Sequence, residues 1–364
     1  MILNSLNVFY KKHARWIPIV SFLLGFLFDI AVLKRVDELS VIIQQAIYLM
    51  ISASFIGFEL VEHLGVEIHP PKLFLKVWKY REFLLHFLLG TLLNSYAIFY
   101  FKSASALTSF LFIAILIAVL MVNEFLRFGK SQTQVHVALL SLCLISYFVS
   151  LAPIVLGFIG IVPFLSAMVV SIIVFYGYTQ ILKPKLVSHP KLLKTHLFYP
   201  FLAIQITFVI LYFTHVIPPV PLSVKYMGIF HGAEKKDSGY ELSFINSDWK
   251  FWDLGDKNFL ARPGDVIYCY VQIFSPARFS DQLQVRWLYS DARKGWMSSD
   301  AIRLPVTGGR EEGYRIVTRK SNYQPGSWRV QIETLDNHEI GRINFKVVSD
   351  ETTSEREIQT LFKE

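Results

Sequence analysis

The sequence predicts a membrane α-helical bundle of about seven spans followed by an all-β sandwich domain. Of its 364 residues, 53% are hydrophobic and only 18% are charged, whereas soluble chains average near a quarter charged. Long apolar runs end near Val216, and beyond Pro221 the pattern changes to an alternation of period two. The net charge of +8 arises entirely in residues 1–216, where it indicates orientation in a bilayer rather than nucleic-acid binding.

The helical half contains seven segments with the roughly 20 mostly apolar residues that a spanning helix needs. They are Trp16–Leu33, Leu39–Val61, Phe83–Phe101, Ala104–Phe128, Val135–Leu151, Ile159–Leu182 and Leu197–Val216. The first segment follows basic residues, as the apolar core of a signal peptide does, but it is long and carries Asp29. Because no small-residue cleavage motif follows it, we predict an uncleaved first span.

The distribution of Lys and Arg predicts the orientation of the spans. With the N-terminus in the cytoplasm, the inner segments carry 13 of these residues and the outer loops carry 3, as the positive-inside rule requires. The alternation needs a turn between the fifth and sixth spans, where Pro153, Gly157 and Gly160 interrupt an uncharged run. Seven spans over residues 1–216 then place everything after Val216 outside the cytoplasm.

Polar residues inside spans are candidates for function, because hydrocarbon penalises them. They are Asp29, Glu59, His86, Asn94, Glu124 and Gln205. One interpretation is a relay or substrate path, as in a transporter or a membrane-embedded enzyme. The other is hydrogen bonding between helices for Asn94 and Gln205, and interfacial positions for the rest. No known metal-binding spacing is present, and we expect no metal site.

The C-terminal half begins with a Pro-rich linker, residues 217–221, predicted to be a stiff, extended spacer. Residues 222–348 contain eight candidate strands, Leu222–Phe230, Tyr240–Phe244, Val266–Ile273, Leu283–Tyr289, Ala301–Val306, Tyr314–Arg319, Trp328–Glu333 and Gly341–Val347. Short strands without helical periodicity predict a β-sandwich. Cys269 and Trp287 on successive strands favour an immunoglobulin-like core with Cys269 as a buried apolar residue. Residues 349–364 are predicted to be a polar, frayed tail.

The stretch from Pro263 to Val348 resembles the bacterial family called domain of unknown function 2914. The resemblance rests on Pro263-Gly264-Asp265 leading into Tyr268-Cys269, Val285–Tyr289, Leu304-Pro305-Val306, Tyr314-Arg315, Pro325–Val330, and Ile340-Gly341 before Phe345. It covers about a quarter of the chain and implies a module of the bacterial cell envelope, often joined to membrane segments. It implies no catalytic residue and no known ligand. After Tyr314-Arg315 this chain has Ile316-Val317-Thr318, where the family tends to be more aromatic and hydroxyl-rich.

These observations lead to a functional hypothesis. We predict a multi-pass protein of the bacterial cytoplasmic (inner) membrane that exposes a non-catalytic β-sandwich as a binding module for an envelope protein or glycan. The candidate binding residues are Trp249, Trp252, Trp296, Tyr314 and Arg315, because exposed aromatic rings beside charged groups supply contact area and specificity. The alternative interpretation of the tryptophans is packing at an edge or contact with the bilayer surface. No cofactor and no nucleic-acid partner is expected, and the oligomeric state stays open.

Overall fold

The computed structural model describes residues 37–62, 81–103, 132–186, 190–245, 255–309 and 312–363. Within these ranges, a helical N-terminal region precedes a C-terminal all-β domain. The predicted first and fourth spans, Trp16–Leu33 and Ala104–Phe128, lie outside the described residues. The structure therefore addresses five of the seven predicted spans.

The helices are α1 (Leu39–Glu62), α2 (Arg81–Ser103), α3 (Gln132–Leu156), α4 (Ile161–Leu186), α5 (Pro190–Leu192) and α6 (Tyr199–Phe213), and the π-helical stretch Leu193–Phe198 joins α5 to α6. Among the described residues, five apolar helices are long enough to cross a membrane: Leu39–Glu62, Leu84–Ser103, Thr133–Leu156, Ile161–Pro184 and Leu193–Phe213. Each matches a predicted span to within a few residues at either end. Large apolar side chains such as Ile173 and Ile181 are 62% and 75% exposed, as lipid-facing residues are.

The chain divides into two compact units, and the division falls inside the helices. The first unit includes α1, most of α2, α3 up to Phe148, α4 from Met168 and α6 up to Ile210. The second unit combines Val149–Ala167, which is the end of α3, the α3–α4 loop and the start of α4, with Leu211–Glu364. The all-β domain therefore forms one unit with the loop between two spanning helices.

The described part of the β domain contains eleven strands: β1 (Ser223–Phe230), β2 (Gly232–Lys235), β3 (Tyr240–Phe244), β4 (Asn258–Ala261), β5 (Ile267–Phe274), β6 (Ser280–Asp291), β7 (Gly295–Thr307), β8 (Tyr314–Lys320), β9 (Gly326–Thr334), β10 (Glu339–Ser349) and β11 (Gln359–Lys363). They form a three-stranded sheet β1-β5-β8, a five-stranded sheet β4-β10-β9-β6-β7 and a second three-stranded sheet β11-β3-β2. All eight predicted strands are present, whereas β2, β4 and β11 were not predicted.

Two apolar cores separate the three sheets into layers. The larger core fills the space between the five-stranded sheet and β1-β5-β8, and contains Trp287, Cys269 and Val330, all fully buried. The smaller core, with Phe230, Leu242, Phe244 and Tyr270, lies between β1-β5-β8 and β11-β3-β2. Cys269 is fully buried, so its prediction as a buried apolar residue is confirmed, and burial raises the pKa of its thiol.

Two sequence expectations about the ends of the β domain were wrong. The Pro-rich linker is folded rather than extended, since Val220 N–H donates to Pro218 O at 2.9 Å and Leu222 N–H to Pro219 O at 3.1 Å. Ile217 and Val220 are buried, so apolar contacts hold this segment. The tail is not frayed throughout, because β11 pairs with β3 from Gln359 to Lys363.

Candidate functional site

The structure describes seven of the eleven predicted site residues. Trp249, Trp252, Asp29 and Glu124 lie outside the described residues. The others fall into separate places: Trp296 is in the five-stranded sheet, and Tyr314 and Arg315 are in β8 of the neighbouring sheet. Glu59, His86, Asn94 and Gln205 lie in α1, α2 and α6.

The outward side of the five-stranded sheet carries an unusual density of cationic side chains. Strand alternation directs Trp287, Ile302 and Val330 into the larger core, so the residues between them point outward. We call this surface the outer face; its principal side chains are Arg286, Trp296, Arg303, Arg329, Arg342 and Lys346.

Trp296 and Arg329 form the centre of the outer face. Trp296 pairs with Ser290 of β6, and Arg329 pairs with Leu288 of the same strand, so the two side chains become neighbours across β6. The Arg329 guanidinium lies 4.1 Å from the centre of the Trp296 ring, a cation–π contact. Trp296 remains 39% exposed. Trp296 was predicted from the sequence and Arg329 was not, because only strand register brings residues 33 positions apart together.

The hairpin between β6 and β7 presents further basic groups. Its turn is held by Asp291, whose Oδ1 accepts hydrogen bonds from the backbone N–H groups of Arg293 at 2.8 Å and Lys294 at 2.9 Å. These bonds lower the pKa of the Asp291 carboxyl. Arg293 and Lys294 are exposed, so the hairpin carries two cationic side chains close to Trp296.

Tyr314 and Arg315 do not join Trp296. Tyr314 packs against the larger core, and Arg315 Nη1 donates to Ser238 O at 2.8 Å. Since β8 belongs to the sheet β1-β5-β8, the structure does not bring these two residues to the outer face. A ligand surface that includes all three residues therefore has no support in the described geometry.

The opposite end of the five-stranded sheet contacts the α3–α4 loop. Gly157 O accepts a hydrogen bond from Ser280 N–H at 2.8 Å. Ile159 N–H donates to Asp281 Oδ2 at 3.0 Å, and Ile161 N–H donates to Asp336 Oδ2 at 2.9 Å. Asp336 thereby caps the N-terminus of α4, where a carboxylate is favoured. We call these contacts the seat.

His338 adds a buried contact at the same end of the domain. Its ring lies 4.5 Å from the ring of Tyr212 in α6 and 4.5 Å from that of His215, and its Nε2 is 3.2 Å from Tyr212 O. Burial, and secondarily His215, lower the pKa of His338. The neutral imidazole is therefore the form that fits this packing.

Measured along β6, the seat and the hairpin are at opposite ends of the domain. Ser280 and Asp281 at the start of β6 contact the α3–α4 loop, whereas Asp291 at its end holds the hairpin. A strand rises about 3.3 Å per residue, so about 36 Å separates the two ends. Trp296 therefore lies far from the membrane ends of α3 and α4.

A second polar cluster lies among the helices of the first unit. Glu59 Oε1 accepts a hydrogen bond from the Thr133 hydroxyl at 2.7 Å, and Glu59 Oε2 lies 2.8 Å from His136 Nδ1. The His86 ring meets the His136 ring edge-on at 5.4 Å. The cluster thus joins α1, α2 and α3, and it includes Glu59 and His86 of the sequence prediction. Thr133 and His136 were missed as partners, since only helix packing brings them to Glu59.

The other intramembrane candidates have simpler surroundings. Gln205 is buried and its Nε2 donates to the Ser171 hydroxyl at 2.6 Å, which ties α6 to α4. Asn94 is half-buried in α2. The Gln205 contact is the kind of helix–helix hydrogen bond that the sequence analysis offered as one of two interpretations.

Within the β domain, one buried carboxylate–imidazole pair escaped the sequence analysis. His231 Nδ1 lies 2.7 Å from Asp256 Oδ2, and its Nε2 lies 3.1 Å from Leu260 O. The other Asp256 oxygen accepts a hydrogen bond from Ile245 N–H at 2.9 Å. Both ring nitrogens are occupied by the fold, so we assign the pair a structural role.

Helices of spanning length followed by an all-β domain define the general class of this protein. Within that domain, residues 280–347 match the family described as "Protein of unknown function (DUF2914)". The match extends from β6 into β10 and confirms the predicted resemblance, although Pro263-Gly264-Asp265 and Tyr268-Cys269 precede it. No curated protein matches the chain.

Solved structures share limited similarity with the chain. A β-glucosidase from Listeria innocua is 12% identical over 31% of this chain and 17% of its own, with a TM-score of 0.20. An immunoglobulin-like protein from Pseudomonas aeruginosa is 14% identical over 35% of this chain and 98% of its own, with a TM-score of 0.22. The chain thus spans only 17% of the β-glucosidase. TM-scores this low do not establish a common fold.

Proposed function

We propose that this is a seven-span protein of the bacterial cytoplasmic membrane that holds an immunoglobulin-like sandwich outside the cytoplasm as a binding module. Its partner is an envelope protein or glycan. The observation that carries the proposal is the seat, which fixes one end of the β domain to the α3–α4 loop. The outer face and the hairpin extend from that anchor, so they are available to a partner away from the bilayer.

The seat also agrees with the predicted alternation of the last three spans. The predicted outer loops include the turn between the fifth and sixth spans, and the domain following the seventh span is on the same side. A contact between that turn and the β domain needs both to lie on one side of the membrane, so the seat fits this alternation in either orientation. The bias of Lys and Arg toward the predicted inner segments supports the outward side.

Photocrosslinking in intact cells tests the proposed function. A benzophenone side chain replaces Ser298, which is exposed on β7 beside Trp296, and in a control replaces Lys235, exposed on β2. We expect the probe at position 298, but not at position 235, to give a crosslinked product. A protein partner appears as a heavier band, and a glycan partner keeps the chain with sedimented wall polymer in hot detergent. If neither readout distinguishes Ser298 from Lys235, the proposal fails.

The Glu59 cluster favours a second candidate function, a transporter or a membrane-embedded enzyme with its site in the bundle. A carboxylate and an imidazole that converge from two apolar helices are costly there and mark functional sites by default. An apolar groove of about 710 Å³, lined in part by Gly57, Tyr178 and Leu182, lies between α1, α3 and α4. The test is complementation of cells that lack this protein. If Glu59→Gln fails to complement at normal protein levels while Trp296→Ala complements, this second function replaces the first.

A further inference from the structure

We infer that the outer face binds an anionic glycan, with Trp296 and Arg329 at the centre of the site. The inference rests on the proposed function and names the chemical class of the partner. It is carried by three observations on the same surface: an excess of positive charge, an arginine held in place by an aromatic ring, and a partly exposed indole.

The charge of the outer face is not balanced locally. Glu333 Oε1 lies 2.5 Å from Arg286 Nη2, and Glu339 forms a two-point ion pair with Arg342. Among the described residues, Arg303, Arg329 and Lys346 form no hydrogen-bonded ion pair, and the Glu339 carboxylate, which is paired with Arg342, acts on Arg329 only through its charge. Residues 217–364 contain equal numbers of acidic and basic residues, so this excess is a property of one face. An anionic partner is complementary to it.

Arg329 is positioned to bind a carboxylate. Its Nε donates to Asn344 Oδ1 at 2.7 Å, and its Cζ lies over the Trp296 ring, so little side-chain freedom remains to be lost on binding. Its two Nη groups donate to no described residue. A guanidinium fork of this kind binds carboxylates with two parallel hydrogen bonds.

Trp296 supplies the second part of the recognition. The part of its ring that Arg329 leaves exposed offers an apolar surface, which suits the apolar side of a sugar ring. A sugar acid carries that ring and a carboxylate in one unit, so it matches both residues. The seat lies at the opposite end of β6, about 36 Å away, which argues against the nearby bilayer as the occupant. An acidic peptide would supply carboxylates for Arg329 but no sugar ring for Trp296.

The test uses the full chain in nanodiscs of phosphatidylcholine, which carries no net charge. Binding is measured to immobilised polygalacturonate, a glycan with one carboxylate per sugar, to uncharged dextran and to poly-L-glutamate. We expect binding to polygalacturonate that weakens as salt is raised, none to dextran, and at least tenfold weaker binding to poly-L-glutamate. Equal binding to poly-L-glutamate would overturn the glycan assignment in favour of an acidic peptide.

Matched variants locate the site. Arg329→Gln and Trp296→Ala are each expected to weaken binding to polygalacturonate on the order of tenfold, with Arg329→Lys in between because it keeps the charge but not the fork. Lys235→Gln removes the same charge from the exposed side of β2 and is expected to change affinity less than about twofold. Loss of binding in Lys235→Gln equal to that in Arg329→Gln, or no binding by the unmodified chain, would refute the inference. A positive crosslink at Ser298 in either case would leave the proposed function standing.

Discussion

Trp287→Ala is expected to destabilise the β domain by about 3–5 kcal/mol, the usual loss when a large aromatic leaves a packed core. Trp287 is fully buried, pairs with Val330 across β6 and β9 and contacts Phe345 edge-on at 6.2 Å between ring centres. Because a domain is stable by only about 5–15 kcal/mol, this loss will expose the β domain to protease well below its normal melting temperature. Thermal melting and limited proteolysis of the detergent-solubilised chain measure the effect.

Trp296→Ala is the matched control for that experiment. The side chain is 39% exposed, and its cation–π contact with Arg329 is worth about 0.5–1 kcal/mol at an exposed site. We expect a loss of less than about 1 kcal/mol in the free energy of unfolding. Equal losses in the two variants would contradict the assignment of one tryptophan to the core and the other to a binding surface.

Glu59→Ala is expected to lower the stability of the helical unit by about 2–3 kcal/mol. Removing one partner of a buried pair costs about 3–5 kcal/mol, and the Glu59 side chain is 19% exposed against 3% for His136, so the loss falls below that range. The substitution leaves the Thr133 hydroxyl and His136 Nδ1 without their shared acceptor. The loss of stability is measured as a fall in the melting temperature of the detergent-solubilised chain.

Glu62→Ala provides the control on the same helix. Its ion pair with Arg81, 2.7 Å long, joins side chains that are 47% and 37% exposed. Such a surface pair contributes about 0–1 kcal/mol, so this variant should melt close to the unmodified chain. If Glu62→Ala lowers stability as much as Glu59→Ala does, the greater burial of Glu59 does not determine its contribution to stability.

The sequence predicted those elements that have a local signal. Each described spanning helix is an apolar run of sufficient length, and Tyr240–Phe244 was among the short candidate strands and forms β3. The short strand β4 has one fully buried side chain, Phe259, and becomes a strand by pairing with β10. The third sheet, β11-β3-β2, was not predicted. Its signal is in β5, which is a near-continuous apolar run from Ile267 to Phe274, as is typical of a strand covered on both faces.

The candidate site was harder to predict, because its partners are distant in sequence. Trp296 was identified from its aromatic ring and neighbouring charges, but its contact with Arg329 depends on the register of three strands. Asp281 and Asp336 look like ordinary turn carboxylates until the fold brings the α3–α4 loop to them. Glu59 and His136 are 77 residues apart and meet only through packing of α1 against α3.

The side of the membrane on which the β domain lies is the central claim, and labelling of single cysteines in intact cells tests it most directly. The native Cys143 and Cys269 are fully buried, so they should react slowly with a maleimide that cannot cross the cytoplasmic membrane. Ser298→Cys on β7 and Lys191→Cys before α6 place one exposed thiol at each proposed side. The account predicts rapid labelling at position 298 in intact cells, and at position 191 only after lysis. The reverse pattern would contradict it.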